Sequence, residues 1–261
     1  MKISFCLPTF IVLLFASASQ GFGQTLSLGA KGGISIPNLT AGGSNNNPLN
    51  TGYSSRLGED AALFAELRFS QLFSLQPMIE YAGEGGKKNG FQAFPTPDQI
   101  IPLFPSGQAP TYLYANFKSE AKFDYLTIPV LAKFQLNHRP ESRWRLYADV
   151  GPFVGFLLSG KQVTSGSSEV YADAGMTQQL PIGTQSFDST NNIKSELHNA
   201  NVGIEGNIGI AYVFGNNRIF FEAGGNYGFL NVQKGTANGE NHVGAAVAGF
   251  GYAYEFVKKK K

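Results

Sequence analysis

Three histidines are the residues in this chain best suited to proton transfer: His138, His198 and His242. His138 sits in a short polar segment and reads as a solvated turn residue. His198 and His242 each precede a stretch of alternating hydrophobicity, and Ser167, Ser168, Asp173, Asp188 and Ser189 lie in a nearby polar loop. A hydroxyl or carboxylate beside an imidazole could do acyl transfer or hydrolysis, but no spacing in the sequence fixes such a pair. The loop acids Glu59, Asp60, Asp98, Glu169, Asp173 and Asp188 match no calcium-loop spacing. One cysteine excludes a disulfide framework, and one cysteine with three scattered histidines gives no zinc pattern. There is no GxxxxGK[ST] phosphate cradle, and the glycines follow strand spacing, not a dinucleotide turn. With 20 basic and 18 acidic residues there is no basic footprint for nucleic acid. The reading is a non-enzymatic protein without catalytic residues, metal or cofactor.

The elements that carry these residues have a period of two. The chain of 261 residues holds 32 Gly, 22 Phe and 11 Tyr but is only 15% charged, a bias against helix and towards strands. Eight segments alternate: Leu26 to Ile36, Ala61 to Phe69, Phe73 to Tyr81, Leu126 to Leu136, Trp144 to Leu158, Val202 to Phe214, Ile219 to Tyr227 and Ala246 to Phe256. The connections alternate between short (around 70–72, 137–142 and 215–217) and long (37–59, 84–119, 160–199), with a moderate one at 232–241. Short turns at one end and long loops at the other are the layout of an outer-membrane barrel. The expected fold is all-β: an eight-stranded antiparallel transmembrane up-and-down β-barrel with long extracellular loops, over residues 24–257.

Alternation alone leaves inside and outside open, because a soluble lipocalin-like barrel hides its apolar face. Aromatic residues decide it. Phe69 and Phe73, Phe134 and Trp144, Phe214 and Phe221, then Tyr252, Tyr254 and Phe256 gather beside the short turns, as a girdle at a membrane interface would. The opposite face carries Lys31, Glu66, Arg68, Glu80, Lys133, Arg145, Asp149, Glu205, Glu222 and Glu255. Facing lipid, each charge would cost about 2–4 kcal/mol at mid-membrane; inside a narrow barrel they can pair. Gly29, Gly33, Gly151, Gly155, Gly209, Gly224, Gly228, Gly249 and Gly251 would make room for those long ionic chains, and an eight-stranded interior is just wide enough to be filled. The network reads as structural, with a polar conduit as the alternative. Pro129 and Pro152 fall mid-strand, where a bulge would accommodate the missing N–H.

Residues 1–23 have the order of a secretory signal peptide: Lys2, an apolar run from Phe10 to Ala16, then small residues, with cleavage after Ala18 or Gly23. The run is too short to span a bilayer as a helix. Cys6 precedes it and so is no lipid-attachment site. Residues 258–261 form a basic tail.

Tyr125-Leu126-Thr127-Ile128-Pro129-Val130-Leu131-Ala132-Lys133-Phe134 and Gly151-Pro152-Phe153-Val154-Gly155-Phe156-Leu157-Leu158-Ser159-Gly160-Lys161 resemble the PorT-like outer-membrane β-barrel proteins of the Bacteroidetes, and Gly29-Ala30-Lys31-Gly32-Gly33 is similar too. The resemblance implies an eight-stranded barrel that tolerates mid-strand prolines. It also implies a link to protein secretion, since the family's namesake serves a system that exports proteins to the cell surface. Many such barrels end on an aromatic residue, whereas here Phe256 is followed by Val257 and four lysines.

The loop at 84–119 is the one unusual element, stiffened by five prolines and rich in Phe91, Phe94, Ile100, Ile101, Phe104, Tyr112 and Tyr114. It could dock a surface or secretion-machinery protein, or fold over its own rim and plug the barrel. The expected partners are outer-membrane lipid and such a protein. The competing functions are a small-solute channel and an outer-membrane lipid-modifying enzyme.

Overall fold

The computed structural model describes residues 25–42, 48–49, 51–137, 142–235 and 240–256. The leader, Cys6, His138 and the basic tail lie outside the described residues.

Eight antiparallel strands form the frame: β1 (Thr25–Gly42), β2 (Gly58–Arg68), β3 (Phe73–Pro95), β4 (Tyr112–Gln135), β5 (Trp144–Ser165), β6 (Ala200–Phe214), β7 (Asn217–Gly228) and β8 (Glu240–Phe256). Each pairs with its sequence neighbours, and β1 pairs with β8 from Leu26↔Phe256 to Gly42↔Glu240, so the sheet closes on itself. Closure leaves no open edge, the condition a strand protein must meet in hydrocarbon.

The period-two pattern sorts side chains as the charges require. Leu63, Ile79, Ile208 and Trp144 stand exposed on the outside, and Phe250 is 70% exposed. Lys31, Glu66, Glu80, Lys133, Asp149, Glu205 and Glu222 are buried in the lumen. Rings on the outer face meet at the short-turn end: Phe73 tilts against Phe134 (centroids 5.4 Å apart), while Trp144 meets Tyr212 (5.1 Å) and Tyr254 meets Phe256 (5.0 Å) edge to face. The β6–β7 hairpin needs only Gly215 and Asn216, with Gly215 at φ +62° in the first position, as a type II′ turn requires.

Three expectations are corrected. The segment 84–119 is mostly strand: β3 and β4 remain paired from Glu84↔Phe123 to Pro95↔Tyr112, and only 96–111 is irregular. This ribbon continues past the closed ring: buried Leu113, Ala115 and Phe117 alternate with Tyr114, Asn116 and Lys118, and they pack against the 166–199 connection. There is also no bulge at the prolines. The β4–β5 register is the same on both sides of them, from Pro129↔Phe153 to Ala132↔Val150, and the shift lies at Asp124/Tyr125. Gly151 lets the strands close up there, since a Cβ would lie 2.0 Å from the Val130 carbonyl oxygen. Finally, several lumen glycines make room for aromatic rings, not ionic chains. A Cβ on Gly29 would meet Phe64, one on Gly209 would meet Tyr147, and one on Gly251 would meet Phe220.

Candidate functional site: a filled lumen beneath an extracellular ribbon

The lumen is layered. Nearest the short turns, Glu66 is the hub. It receives Arg218 Nη2 at 2.5 Å, Lys133 Nζ at 3.5 Å and Arg68 Nη2 at 3.8 Å, and accepts a hydrogen bond from Ser74 Oγ at 3.0 Å. Arg68 also reaches Glu255 at 2.9 Å. Lys133 donates to Gln76 Oε1 at 2.9 Å and lies 3.8 Å from the Tyr147 ring centroid. Above this, Ala62, Phe64, Met78, Leu131, Tyr147, Ala211, Phe220 and Ala253 form an apolar layer across the barrel.

The next layer is acidic. Lys31 reaches out from β1 to Glu222 at 3.3 Å, Glu80 at 3.4 Å and Glu205 at 3.6 Å. Tyr147 donates its hydroxyl to Glu222 at 2.9 Å, tying this layer to the one below. Asn207 bridges Asp149 and Glu205, donating to each at 3.0 Å, and Thr127 donates to Glu80. Asp60, Asp149 and Glu84 each keep one buried oxygen without a partner. A second apolar layer, made of Leu39, Ala121, Phe123, Tyr125, Leu157, Leu197, Val232 and Val243, closes the long-loop end. The two apolar layers thus bracket the acidic layer, and a pocket of only about 10 Å³ lies beside Glu84 and Asn226.

Of the ten lumen residues singled out from sequence, nine meet in these two ionic layers. Arg145 lies at the mouth instead, donating to the carbonyls of Ser142 and Trp144. Sequence reasoning missed Arg218, Asp60, Glu84, Asn207 and Tyr147 as members. Arg218 alternates correctly along β7 and was legible; Tyr147 looked like one more aromatic until its hydroxyl found Glu222.

The long-loop end is a second unit. Leu113, Ala115, Phe117, Val170 and Leu180 form a core between the β3–β4 ribbon and the 166–199 connection, with Phe94, Ile100, Phe104 and Phe187 against it. Phe117 and Phe187 stack with centroids 4.5 Å apart and planes 5° from parallel. Phe91 stacks on Tyr114 and meets Tyr171 edge-on, and Tyr112 opens β4. Ile101 and Leu103 remain exposed on the 3₁₀ turn at the tip. The alternative that this segment plugs its own barrel is corrected: it packs against the neighbouring connection, and the second apolar layer caps the lumen.

The loop hydroxyls and acids serve the loop itself. Asp173 accepts from the N–H groups of Gln178 at 2.7 Å and of Thr177 and Gly175 at 3.0 Å. Slight desolvation would raise its carboxyl, but these donors outweigh that and hold it below the usual carboxylate range. Asp188 accepts from Gly166 N–H at 3.0 Å, and Ser168 Oγ accepts from Asn116 N–H at 3.0 Å. His242 stacks on Tyr227 at 5.9 Å, and His198 is exposed.

A family model for an outer membrane protein beta-barrel domain matches residues 17–234. Among solved structures, Neisserial surface protein A is similar at 14% identity over 90% of this chain and 100% of that one, with a TM-score of 0.38. The attachment invasion locus protein Ail of Yersinia pestis is similar at 13% over 88% and 99%, TM-score 0.36. The outer membrane protein OprG of Pseudomonas aeruginosa is similar at 11% over 90% and 97%, TM-score 0.38. No curated protein matches the sequence.

Proposed function

Because the chain belongs to the outer membrane β-barrel family, we propose that it is a non-enzymatic, non-conducting anchor that holds a recognition unit at the cell surface. One observation carries this reading: the lumen is packed across two apolar layers, while β3, β4 and β5 run on past the ring into a ribbon-and-loop unit with its own core. A channel needs a continuous polar path, and that unit is more structure than a closed barrel needs for its own stability. The partner is a protein, engaged by the exposed aliphatic tip at Ile101 and Leu103 and the aromatic flank at Phe91 and Tyr114. The resemblance of β4 and β5 to PorT-like barrels favours a partner in protein secretion.

The test places photo-crosslinking residues at 91, 101 and 114 in intact cells and measures planar-bilayer current of the purified protein. Discrete protein adducts from position 101 or 114, together with negligible current, are the expected result. A stable unitary conductance, or no adduct from any position, overturns the reading. A lipid-modifying enzyme, the competing class, would lose turnover on substitution of His198 or His242; the anchor is indifferent to both.

A further inference from the structure

Beyond the closed ring, the β3–β4 ribbon has one covered edge and one open edge. On the β4 side, the 166–199 connection adds a short strand through Ala115↔Val170 and Tyr114↔Tyr171. On the β3 side, pairing with β2 ends at Ala82. A single bridge follows, in which Ser54 and Lys87 exchange backbone hydrogen bonds at 2.8 and 2.9 Å. From Lys88 to Pro95, β3 pairs with β4 alone.

Backbone groups in an antiparallel strand alternate between its two sides. Lys87 bonds to Ser54, whereas Thr96 donates its N–H to the Thr111 carbonyl at 3.2 Å, so even-numbered residues here face β4. Asn89, Phe91 and Ala93 therefore aim their N–H and C=O groups at the open side, and among the described residues nothing bonds to those groups. Such an edge is a row of donors and acceptors that another strand completes. The Ser54 bridge below and Pro95 above, whose nitrogen carries no hydrogen, limit it to a short segment.

The face beside this edge carries two further features. Phe91 stacks on Tyr114 with centroids 5.9 Å apart and meets Tyr171 edge-on at 5.9 Å. Lys87 and Lys118 stand exposed on the same face, Lys118 directly across from Asn89. Glu120, the acid between them, is held by Arg56 at 2.8 Å and Lys122 at 3.4 Å, and among the described residues no acid pairs with Lys87 or Lys118.

We propose that the edge at Asn89, Phe91 and Ala93 receives an extended segment of a protein partner as one further antiparallel strand. The partner residue opposite Phe91 is apolar and covers the rings. The one opposite Asn89 is acidic and lies between Lys87 and Lys118. A second copy of this chain suits the edge less well, since it brings its own Lys87 and Lys118 to the junction. Strand addition of this kind rests on the reading of the barrel as an anchor for a protein partner.

The test uses the full chain refolded in maltoside micelles. The probe is acetyl-Thr-Val-Thr-Leu-Thr-Asp-Thr-amide, which in antiparallel register sets valine, leucine and aspartate opposite Ala93, Phe91 and Asn89. Titration calorimetry should show saturable binding, and the Asn89 and Phe91 amides should gain at least tenfold protection from hydrogen exchange. Methylating the leucine nitrogen removes the N–H aimed at the Phe91 carbonyl and should weaken binding at least tenfold. Asn89→Pro blocks the edge without touching the bonds to β4; it should abolish binding while the urea midpoint holds. Lys118→Glu, on an exposed side chain, should reverse the preference between this probe and one with lysine in place of aspartate. No saturable binding, equal binding of the methylated probe, full binding to Asn89→Pro, an unchanged preference in Lys118→Glu, or a dimer of the parent that Asn89→Pro dissolves overturns strand addition. Those results leave the anchor reading to its own adducts and current, and a failure of those leaves the peptide result as it stands.

Discussion

Replacing Lys31 with methionine keeps most of the side-chain volume and removes one charge. Lys31 is 5% exposed in its side chain, and its ammonium sits 3.3–3.6 Å from three carboxylates. At an effective dielectric of about 20, each such pair is worth roughly 5 kcal/mol before desolvation. Desolvation of the ions and repulsion among the acids offset most of that sum. What remains on removing one partner of a buried charged cluster is a loss of about 3–5 kcal/mol, because the surviving charges are left uncompensated. That corresponds to roughly two to three and a half orders of magnitude in the folding equilibrium. Urea unfolding of the protein in micelles, followed through its single tryptophan, measures this directly. Lys31→Met should lower stability by about 3–5 kcal/mol, and adding Glu222→Gln should restore part of the loss by removing one of the stranded acids. A Lys31→Met protein within about 0.5 kcal/mol of the parent, the range of an ordinary surface substitution, would mean that water already solvates these carboxylates. The closed lumen would then be wrong.

Gly209→Val should be costly, since even a Cβ there would sit 2.2 Å from the Tyr147 ring, which Lys133 and Glu222 hold in place. About 2–3 kcal/mol is expected from overpacking, read as a lowered urea midpoint; an unchanged midpoint would show that the ring is free to move. Phe187→Ala removes the stack on Phe117 and the edge contact with Phe94, so limited proteolysis should cut 166–199 faster while the barrel's unfolding midpoint holds. Loss of the midpoint as well would show that the two units are one. Asp173 has a depressed carboxyl in the folded loop, so its stabilisation is complete above the unfolded value near 4 and fades as pH falls below that through the folded value. The protection of the Thr177 and Gln178 amides, their exchange rate relative to the intrinsic rate at each pH, should therefore fall on acidification in the parent and be low at every pH in Asp173→Asn; matching profiles would dismiss the capping role.

Much of the barrel was legible because lipid on one side and packed charge on the other force strict alternation. Leu63 and Ile79 against Glu66 and Glu80 could hardly be read otherwise. Legibility stopped where that constraint stops. Beyond the ring, Lys87, Lys88 and Asn89 pair with Glu120, Ser119 and Lys118 in a regular ladder, but neither face meets hydrocarbon, so the pattern reads as loop. The ionic residues could be assigned to the lumen by parity alone, whereas their grouping into two layers could not. That depends on register across β1, β7 and β8, which sets Lys31 rather than Lys133 beside Glu222 and Glu205. The glycine sockets were visible as glycines but not as sockets, since Gly209 and Tyr147 meet only when β6 lies against β5.

The orientation of the two faces is the central claim, and Trp144 tests it most directly. It is the chain's single tryptophan, 53% exposed on the outer face at the short-turn end, with its ring 5.1 Å from that of Tyr212. In bilayers made with brominated lipids, its fluorescence should be quenched most strongly when bromine sits close to the headgroups and less when it sits near the chain ends. Emission untouched by bromine at every depth, in a chain that stays folded in buffer without detergent, would place the apolar face inside and contradict the account.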